Sequence, residues 1–193
     1  MNVTILTFGS RGDVQPYLAL ACGLKDAGHR TKIVVPASYA DWVHSYGIDS
    51  HPQRFDFAEY IRKIRQEPKS GSRNPVARFR SFREAIIKGS ADSLEDFRAA
   101  CEDADFVLQS GVANGAVEIA EQRRIPMAFA FPYPYRPTRE FPSFMVPWRG
   151  SLGGAYNLWT QKAVQKVSWN SYGVALNRWR AERFGLAPWP SFR

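Results

Sequence analysis

The residues best suited to do chemistry stand directly behind the first apolar run of the chain, in the stretch Gly9-Ser10-Arg11-Gly12-Asp13. Glycine permits a tight turn and a close approach of a ligand to the backbone. A carboxylate such as that of Asp13 can accept a proton as a general base. Backbone N–H groups at the start of a following helix can face a phosphate. The stretch therefore predicts a turn that either binds phosphate or presents a reactive carboxylate.

Three familiar motifs do not fit this stretch. A P-loop needs GxxxxGK[ST], and neither that spacing nor the lysine is present. A dinucleotide fingerprint needs GxGxxG and an acid about twenty residues further on, whereas this turn is GxxG and the second apolar run ends at Pro36. The tripeptide Arg11-Gly12-Asp13 would serve cell adhesion on an exposed loop of a secreted protein, and here it follows a buried strand. We interpret it as a coincidence.

Two roles remain open for Asp13 from spacing alone. As a helix cap, its carboxylate would accept hydrogen bonds from backbone N–H groups at residues 15 or 16. Pro16 has no N–H, which removes one of those donors. As a base, the carboxylate would be kept ionised by the positive end of the helix dipole. The sequence does not decide between cap and base.

The elements that must position this turn follow from the hydrophobic pattern. Short β-rich apolar runs predict strands, and apolar residues at three- and four-residue spacing predict helices. The predicted strands cover 3–8, 31–35, 48–52, 106–108 and 125–131, and the predicted helices cover 14–27, 39–46, 76–100, 113–122 and, as one helix or a pair, 154–184. Residues 53–75 are charged and predict no regular element. Alternation of strand and helix predicts an α/β fold, a Rossmann-like open parallel sheet with helices on both faces.

The predicted sheet brings three segments towards one crevice, because ligands of open parallel sheets bind beyond the carboxyl ends of the strands. Residues 9–13 follow the first strand, and Ser110 and Gly111 follow the strand at 106–108. The proline- and aromatic-rich segment 131–144 follows the strand at 125–131. It could form an apolar wall for a lipophilic ligand, built from Phe131, Tyr133, Tyr135, Phe141 and Phe144.

Composition narrows the function further. The formal net charge is +8, and the basic residues between Arg62 and Lys88 include Arg65, Lys69, Arg73, Arg78, Arg80 and Arg83. Such a stretch favours an anionic membrane surface or an acidic partner domain, or is simply a pair of solvated basic helices. No nucleic-acid-binding motif accompanies it, so we expect no nucleic acid. The three histidines lack metal-ligand spacing, and we expect no metal.

The location expected from the sequence is the cytoplasm, with peripheral membrane contact. The chain of 193 residues has two cysteines, Cys22 and Cys101, in unrelated contexts and without CxxC spacing. Its first residues lack the basic and apolar regions of a signal peptide. No apolar stretch reaches the roughly 18–20 residues that span a bilayer.

Three stretches of the chain resemble one enzyme family. GSRGDVQPYLALACGLKDAGH, at 9–29, is similar to the N-terminal signature of GT-B glycosyltransferases of the sterol 3-β-glucosyltransferase kind, in glycosyltransferase families 1 and 28. EIAEQRRIPMAFAFPYPYRPTREFPS, at 118–143, resembles the helix–strand–loop segment of that group. GGAYNLWTQKAVQKVSWNSYGVALNRWRAERFGLAP, at 153–188, resembles the helical stretch that closes its acceptor half. The resemblance leaves out the basic middle of the chain.

The resemblance implies an inverting transfer of a hexose, usually glucose from UDP-glucose, to a hydroxyl of a lipophilic acceptor such as a sterol. In that group the aspartate at the position of Asp13 is taken as the general base. The turn at Gly9, Ser10, Arg11 and Gly12 would then lie near the donor diphosphate. The UDP-sugar is a substrate, and no cofactor is implied. Plant-type relatives use a histidine assisted by an aspartate after the fourth strand, whereas this chain has Gln109-Ser110 there, so that dyad is not evident.

The family is built of two Rossmann-like halves, and the second binds the sugar nucleotide. This chain resembles the first half alone, so we expect one acceptor-binding domain over 1–193 without the donor-binding domain. Its expected partners are a lipophilic small-molecule acceptor and a C-terminal donor-binding domain supplied in cis or in trans. The alternative function is a non-catalytic Rossmann-like module that binds a lipid or a partner.

Overall fold

The computed structural model of the chain describes residues 1–66, 75–111, 113–143, 145–146 and 152–190. Contacts along the chain group it into two compact units, Met1–Pro132 and Tyr133–Arg193. The first unit holds the sheet and the turn at residues 9–13, and the second is dominated by one long helix. The expectation of a single acceptor-binding domain over 1–193 stays a prediction.

The first unit contains a five-stranded sheet whose strands all run parallel. Their order is β3-β2-β1-β4-β5, and their bounds are β1 Asn2–Leu6, β2 Arg30–Pro36, β3 Asp49–Gln53, β4 Phe106–Ser110 and β5 Met127–Ala130. β1 lies at the centre, and Leu6 pairs with Val34 on one side and with Gln109 on the other. The predicted α/β class with an open parallel sheet is confirmed.

Six α-helices accompany these strands in the described part of the chain: α1 Arg11–Asp26, α2 Ala40–His44, α3 Phe57–Gln66, α4 Pro75–Ala100, α5 Ala116–Arg123 and α6 Gly154–Phe184. α1 begins three residues earlier than predicted, with Ser10 as its N-cap. The third helix was not predicted, although Phe57, Tyr60, Ile61 and Ile64 have helical spacing. The stretch 154–184 is one helix and not a pair.

The core of the first unit forms where α1 covers the central strands. Ile5 and Ile33 are fully buried together with Val14 and Leu18 of α1. On β2, alternate side chains point to opposite faces. Lys32 consequently meets the end of α4, where its Nζ donates to the carbonyl of Ala100 and to Asp103 Oδ1, at 3.2 and 2.6 Å. This ion pair lowers the pKa of Asp103.

A second polar contact joins α4 to the end of β3. The backbone N–H and the Nε of Arg54 donate to the two carboxylate oxygens of Asp96, at 2.9 and 2.7 Å. Asp96 is 7% exposed, and the positive charge of Arg54 compensates the charge of this buried carboxylate. The contact fixes α4 beside residues 53–57, which lead from β3 into α3.

The burial of Cys101 generates a testable difference between the two thiols. Desolvation raises the pKa of Cys101 to about 12, whereas Cys22 is half-buried. Because the thiolate is the nucleophile, Cys101 should resist an aromatic disulfide reagent at pH 8 in the folded chain and react after unfolding in urea. Cys22 should react first, and the Cys22→Ser variant should be nearly silent until unfolded. Fast native-state reaction of that variant would contradict the burial of Cys101.

Candidate functional site

The turn between β1 and α1 depends on the absence of a side chain at position 9. Gly9 has φ +116°, a conformation that other residues rarely adopt. A Cβ at this position would lie 2.6 Å from Oδ2 of Asp13. Glycine is therefore required twice, by its backbone conformation and by the carboxylate that occupies the space of a side chain.

Asp13 holds the start of α1 through its carboxylate. Its Oδ2 accepts hydrogen bonds from the backbone N–H of Ser10 at 2.8 Å and from the Ser10 hydroxyl at 2.9 Å. The capping function considered for Asp13 thus exists, but it reaches back to Ser10 and not forward to residues 15 or 16. The reason is position: α1 begins at Arg11, which makes Asp13 the third helical residue, and carboxylates there cap backwards.

The other carboxylate oxygen of Asp13 is unoccupied by the described part of the chain. No hydrogen bond to Oδ1 occurs among the described residues, and the side chain is half-buried. Asp13 therefore has one oxygen held by the helix start and one oxygen that can accept a proton or a hydrogen bond. Cap and base are compatible roles for the same side chain.

The turn lies at the point where the strand order reverses. From β1 the chain proceeds to β2 and β3 on one side, and then to β4 and β5 on the other. In open α/β sheets this switch point opens a crevice beyond the carboxyl ends of the two central strands. Gly9–Asp13 follows β1 and Ser110-Gly111 follows β4, and β1 and β4 are direct neighbours. The sheet therefore brings these two predicted segments to adjacent strand ends.

The side chains at the end of β4 are buried beneath this edge. Ser110 is 0% exposed, and its hydroxyl has no hydrogen-bond partner among the described residues. Gln109 is also buried, and its Oε1 accepts the backbone N–H of Ala116 at the start of α5. Gln109 therefore holds the start of α5. The assignment of Ser110 and Gly111 to acceptor binding stays a prediction.

Arg11 is exposed and is held by an aromatic face. Its guanidinium lies 4.7 Å from the centroid of the Trp42 ring on α2, and Trp42 meets Tyr39 and Tyr46 edge-on, at 6.0 and 6.5 Å. A cation at the first turn of a helix is disfavoured by the helix dipole. The contact with Trp42 offsets this by roughly 0.5–1 kcal/mol at an exposed site.

The predicted aromatic wall is distributed over both units. Phe131 is 40% exposed and stacks on Phe129 of β5, with ring centroids 5.9 Å apart. In the second unit the rings of Tyr133 and Tyr135 lie 6.5 Å apart. Burial raises the pKa of Tyr135 to about 12, so its hydroxyl stays neutral at physiological pH.

The other two residues of the predicted aromatic wall are Phe141 and Phe144. Phe141 is exposed in the second unit, and Phe144 lies outside the described residues. A common acceptor wall made by the five aromatic residues stays a prediction.

A group of residues that the sequence analysis did not single out surrounds the start of the turn. The ring of Phe8 lies 6.1 Å from that of Phe55 and 5.8 Å from that of Phe57. The buried amide of Gln53 donates to the carbonyl of Thr7 at 2.5 Å. The one available signal was the Phe55-Asp56-Phe57 sequence directly behind β3, but nothing local indicated that it meets the end of β1.

The basic stretch 62–88 is described in part. Lys63 and Arg62 pair with Glu59 on α3, at 3.0 and 3.8 Å, and Lys88 on α4 is exposed. The side chains of Arg65, Lys69, Arg73, Arg78, Arg80 and Arg83 lie outside the described residues. Within the described chain, no helix is long and apolar enough to cross a membrane, and no three His, Cys, Asp or Glu side chains are grouped as metal ligands would be.

Comparison with known proteins gives related sequences. A family model described as the glycosyltransferase family 28 N-terminal domain matches residues 3–142. A sterol 3-beta-glucosyltransferase of Aspergillus oryzae is 38% identical over 190 residues, which is 96% of this chain and 13% of that protein. One from Eremothecium gossypii is 37% identical over 183 residues, 94% of this chain and 14% of that protein. The chain thus spans a small part of the length of the curated relatives it matches.

Solved structures share the fold. The Streptomyces sp. SF2575 glycosyltransferase SsfS6 superimposes with a TM-score of 0.53 at 17% identity, covering 99% of this chain and 48% of that one. The calicheamicin glycosyltransferase CalG4 gives a TM-score of 0.52 at 17% identity, covering 67% of this chain and 32% of that one. With a Rossmann-like sheet of the GT-B kind and a family match over residues 3–142, this chain belongs to the glycosyltransferase family 28 N-terminal domain family.

Proposed function

We propose that this chain is the acceptor-binding half of an inverting glycosyltransferase that moves a hexose from a UDP-sugar, UDP-glucose in the first instance, to a hydroxyl of a lipophilic acceptor such as a sterol. Asp13 acts as the general base. The observation that carries the proposal is the carboxylate at the switch point of the sheet, with Oδ2 held by Ser10 and with no hydrogen bond to Oδ1 from any residue that the structure describes.

The reaction needs one proton acceptor and one stabilised leaving group. Asp13 Oδ1 takes the proton of the acceptor hydroxyl as that oxygen attacks the anomeric carbon of the sugar. A new C–O bond forms, the bond from the anomeric carbon to the phosphate oxygen breaks, and UDP leaves with the bonding electrons. A carboxylate suits the first task because a positioned base contributes typically 10²–10⁴-fold to such a step. The diphosphate charge is to be stabilised mainly by the donor-binding half.

The hydrogen bonds of Ser10 support the role of Asp13 because they restrict its rotation. A side chain with one oxygen fixed by two donors presents its second oxygen in a defined direction. Pre-positioning of a reacting group removes rotational entropy from the barrier. Gly12 leaves space for an acceptor to approach: apart from its chain neighbours and the backbone of α1, only Ser10 Oγ among the described atoms lies within 4 Å of a Cβ built there, at 3.8 Å.

The substrates are proposed by analogy with the relatives. Curated relatives that share 37–38% of their residues with this chain are sterol 3-beta-glucosyltransferases, which supports glucose as the sugar and a sterol-like acceptor. The exposed and stacked pair Phe129, on β5, and Phe131, directly behind it, supplies an apolar surface for it. The donor-binding half is a partner in cis or in trans.

The second candidate is a non-catalytic module that binds a lipid or a partner. The specific observation in its favour is that the carboxylate of Asp13 already has a structural role as a helix cap. In that case the turn would be a stable helix start and nothing more.

Asp13→Asn separates the two candidates. Asparagine keeps an oxygen that can accept the bonds from Ser10, but it cannot take the acceptor proton. In an enzyme that combines this chain with a donor-binding half, we expect transfer to fall by ~10²–10⁴-fold, with acceptor binding and melting temperature nearly unchanged. Gly23→Ala on the same helix, where a Cβ meets nothing within 4 Å, is the control. An unchanged turnover in the asparagine variant would remove Asp13 as the base.

The chain alone should bind acceptor weakly and transfer nothing. Residues 3–142 match the N-terminal domain of the family, and the proposed donor site belongs to the other half. The measurement is incubation with UDP-glucose and a sterol, with glucoside detected by mass spectrometry. Glucoside formation by the chain alone would refute the division of labour between the two halves.

The basic stretch is proposed to dock the domain on an anionic membrane, where sterol-like acceptors reside. Because exposed charges are screened over roughly 10 Å at 0.1 M salt, binding to phosphatidylcholine vesicles should appear with added phosphatidylserine and weaken as salt is raised. The measurement is cosedimentation at several salt concentrations. Binding that ignores both lipid charge and salt would rule out this electrostatic docking.

A further inference from the structure

We propose that Phe8, Phe55 and Gly89 form a positioning device for Asp13, in which α4 and the segment behind β3 hold the residues that lead into the turn. The catalytic relevance of this device rests on the proposed function of Asp13, whereas its geometric effect does not. Phe55 and Gly89 are positioning residues, because neither is placed at the reacting atoms.

Phe8 is clamped at the entry of the turn. It directly precedes Gly9, and its ring contacts two rings that follow β3, those of Phe55 and Phe57. The Phe55 ring is stacked on it with an interplanar angle of 22°, and the Phe57 ring is tilted at 39°. Phe55 also lies 5.9 Å from the Tyr60 ring on α3. Aromatic pairs at these distances contribute about 0.5–1.5 kcal/mol each beyond the area they bury.

The backbone just before Phe8 is held by hydrogen bonds from the neighbouring strands. The Thr7 hydroxyl donates to the carbonyl of Val34 on β2. The carbonyl of Thr7 accepts the amide of Gln53, which reaches past β2 from the end of β3. Gln53 is 1% exposed, and its Oε1 has no hydrogen-bond partner in the described part of the chain. Leaving buried polar atoms without hydrogen bonds costs free energy. The bond to Thr7 therefore stabilises the buried amide of Gln53 in this position.

Gly89 allows Phe55 to lie directly on α4. A Cβ at position 89 would lie 2.5 Å from three ring atoms of Phe55. Glycine inside a helix costs about 1 kcal/mol relative to alanine, and here it leaves the space that the ring fills. The helix continues through this position, and the Ser93 hydroxyl donates to the carbonyl of Gly89. The clamp is therefore continuous from α4 through Phe55 to Phe8.

The carboxylate of Asp13 is sensitive to the position of this entry segment. Phe8 is joined to Gly9, and the space of a Gly9 side chain is filled by Asp13 Oδ2. The N–H that binds this oxygen belongs to Ser10, the next residue along. A displacement of Phe8 therefore changes the distance between the Ser10 N–H and the carboxylate. A site that is misplaced by about 1 Å loses much of its activity.

The competing explanation is that the aromatic cluster only stabilises the first unit. Stability alone would lower the melting temperature without affecting the Ser10–Asp13 hydrogen bond in the folded molecules. A positioning role predicts a change of that hydrogen bond in molecules that are still folded. The test must therefore observe the bond itself.

The experiment uses Gly89→Ala in the 193-residue chain, with Gly23→Ala as the matched control. Both place alanine in a helix, but at position 23 the new Cβ meets nothing within 4 Å. The chemical shift of the Ser10 amide is followed by NMR while Asp13 is titrated with acid. In the wild type and in Gly23→Ala this amide should report the protonation of Asp13 strongly, because its N–H donates to Oδ2. In Gly89→Ala the change should fall by about half or more, because the bond lengthens and weakens.

Phe55→Leu is the second variant and secures the result if Gly89→Ala does not fold. It removes the ring that links α4 to Phe8 without adding volume, and it should show the same reduced response of the Ser10 amide. An unchanged response in the folded variants would overturn the positioning role, whatever the reaction of the protein is.

The kinetic consequence is measured separately, in an enzyme that includes a donor-binding half. Gly89→Ala should lower kcat by ~10-fold with the KM for the acceptor unchanged, and Gly23→Ala should match the wild type. If Asp13→Asn retains full activity, the proposed function fails while the amide response can still hold. If the amide response is unchanged while Asp13→Asn is inactive, only the positioning role fails.

Discussion

The first unit is organised around a carboxylate that occupies the place of a missing side chain. Oδ2 of Asp13 lies only 2.6 Å from where a Cβ on Gly9 would be, and it accepts two hydrogen bonds from Ser10 in that position. This arrangement turns the chain out of β1 and starts α1 within four residues. The core then follows, because α1 can cover β1 and β2 only if it begins at this point, with Val14 and Leu18 facing the strands. One local contact therefore sets the register between the central strand and the helix that buries it.

Much of this architecture could be predicted from the sequence for the strands that are buried on both faces of the sheet. β1, β2 and β4 each contain a short apolar stretch, such as Ile33–Val35 and Phe106–Leu108, and such stretches appear in parallel sheets covered on both faces. Helix α3 was missed because the stretch was read by its charge, although Phe57, Tyr60 and Ile61 already had helical spacing. β5 covers Met127–Ala130 and is shorter than the predicted strand 125–131. An apolar run shows which residues are apolar but not how many of them pair with a neighbouring strand.

The parts of the site that are adjacent in the sequence could be predicted, whereas contacts between distant segments could not. The turn, its glycines and Asp13 were visible as a motif, and the parallel sheet made the neighbouring position of Ser110 predictable. The direction of the cap was not, because it depends on α1 beginning at Arg11 and not at Val14. The clamp on Phe8 was not predictable either. Its members come from β1, from the segment behind β3 and from α4, and no periodicity in a single sequence relates position 8 to positions 55 and 89.

The geometry shows the cap at Asp13 and leaves room for the proposed base in the same side chain. A carboxylate has two oxygens, and a capping bond needs one of them. A base whose second oxygen pointed in variable directions would have to be ordered anew for each acceptor, at an entropic cost in the barrier. When Oδ2 is fixed by the N–H and the hydroxyl of Ser10, the direction of Oδ1 is set by the helix itself. Stability of the helix start and readiness of the base then depend on the same two hydrogen bonds. Contacts with Phe8, one residue before Gly9, connect the rest of the first unit to these two hydrogen bonds.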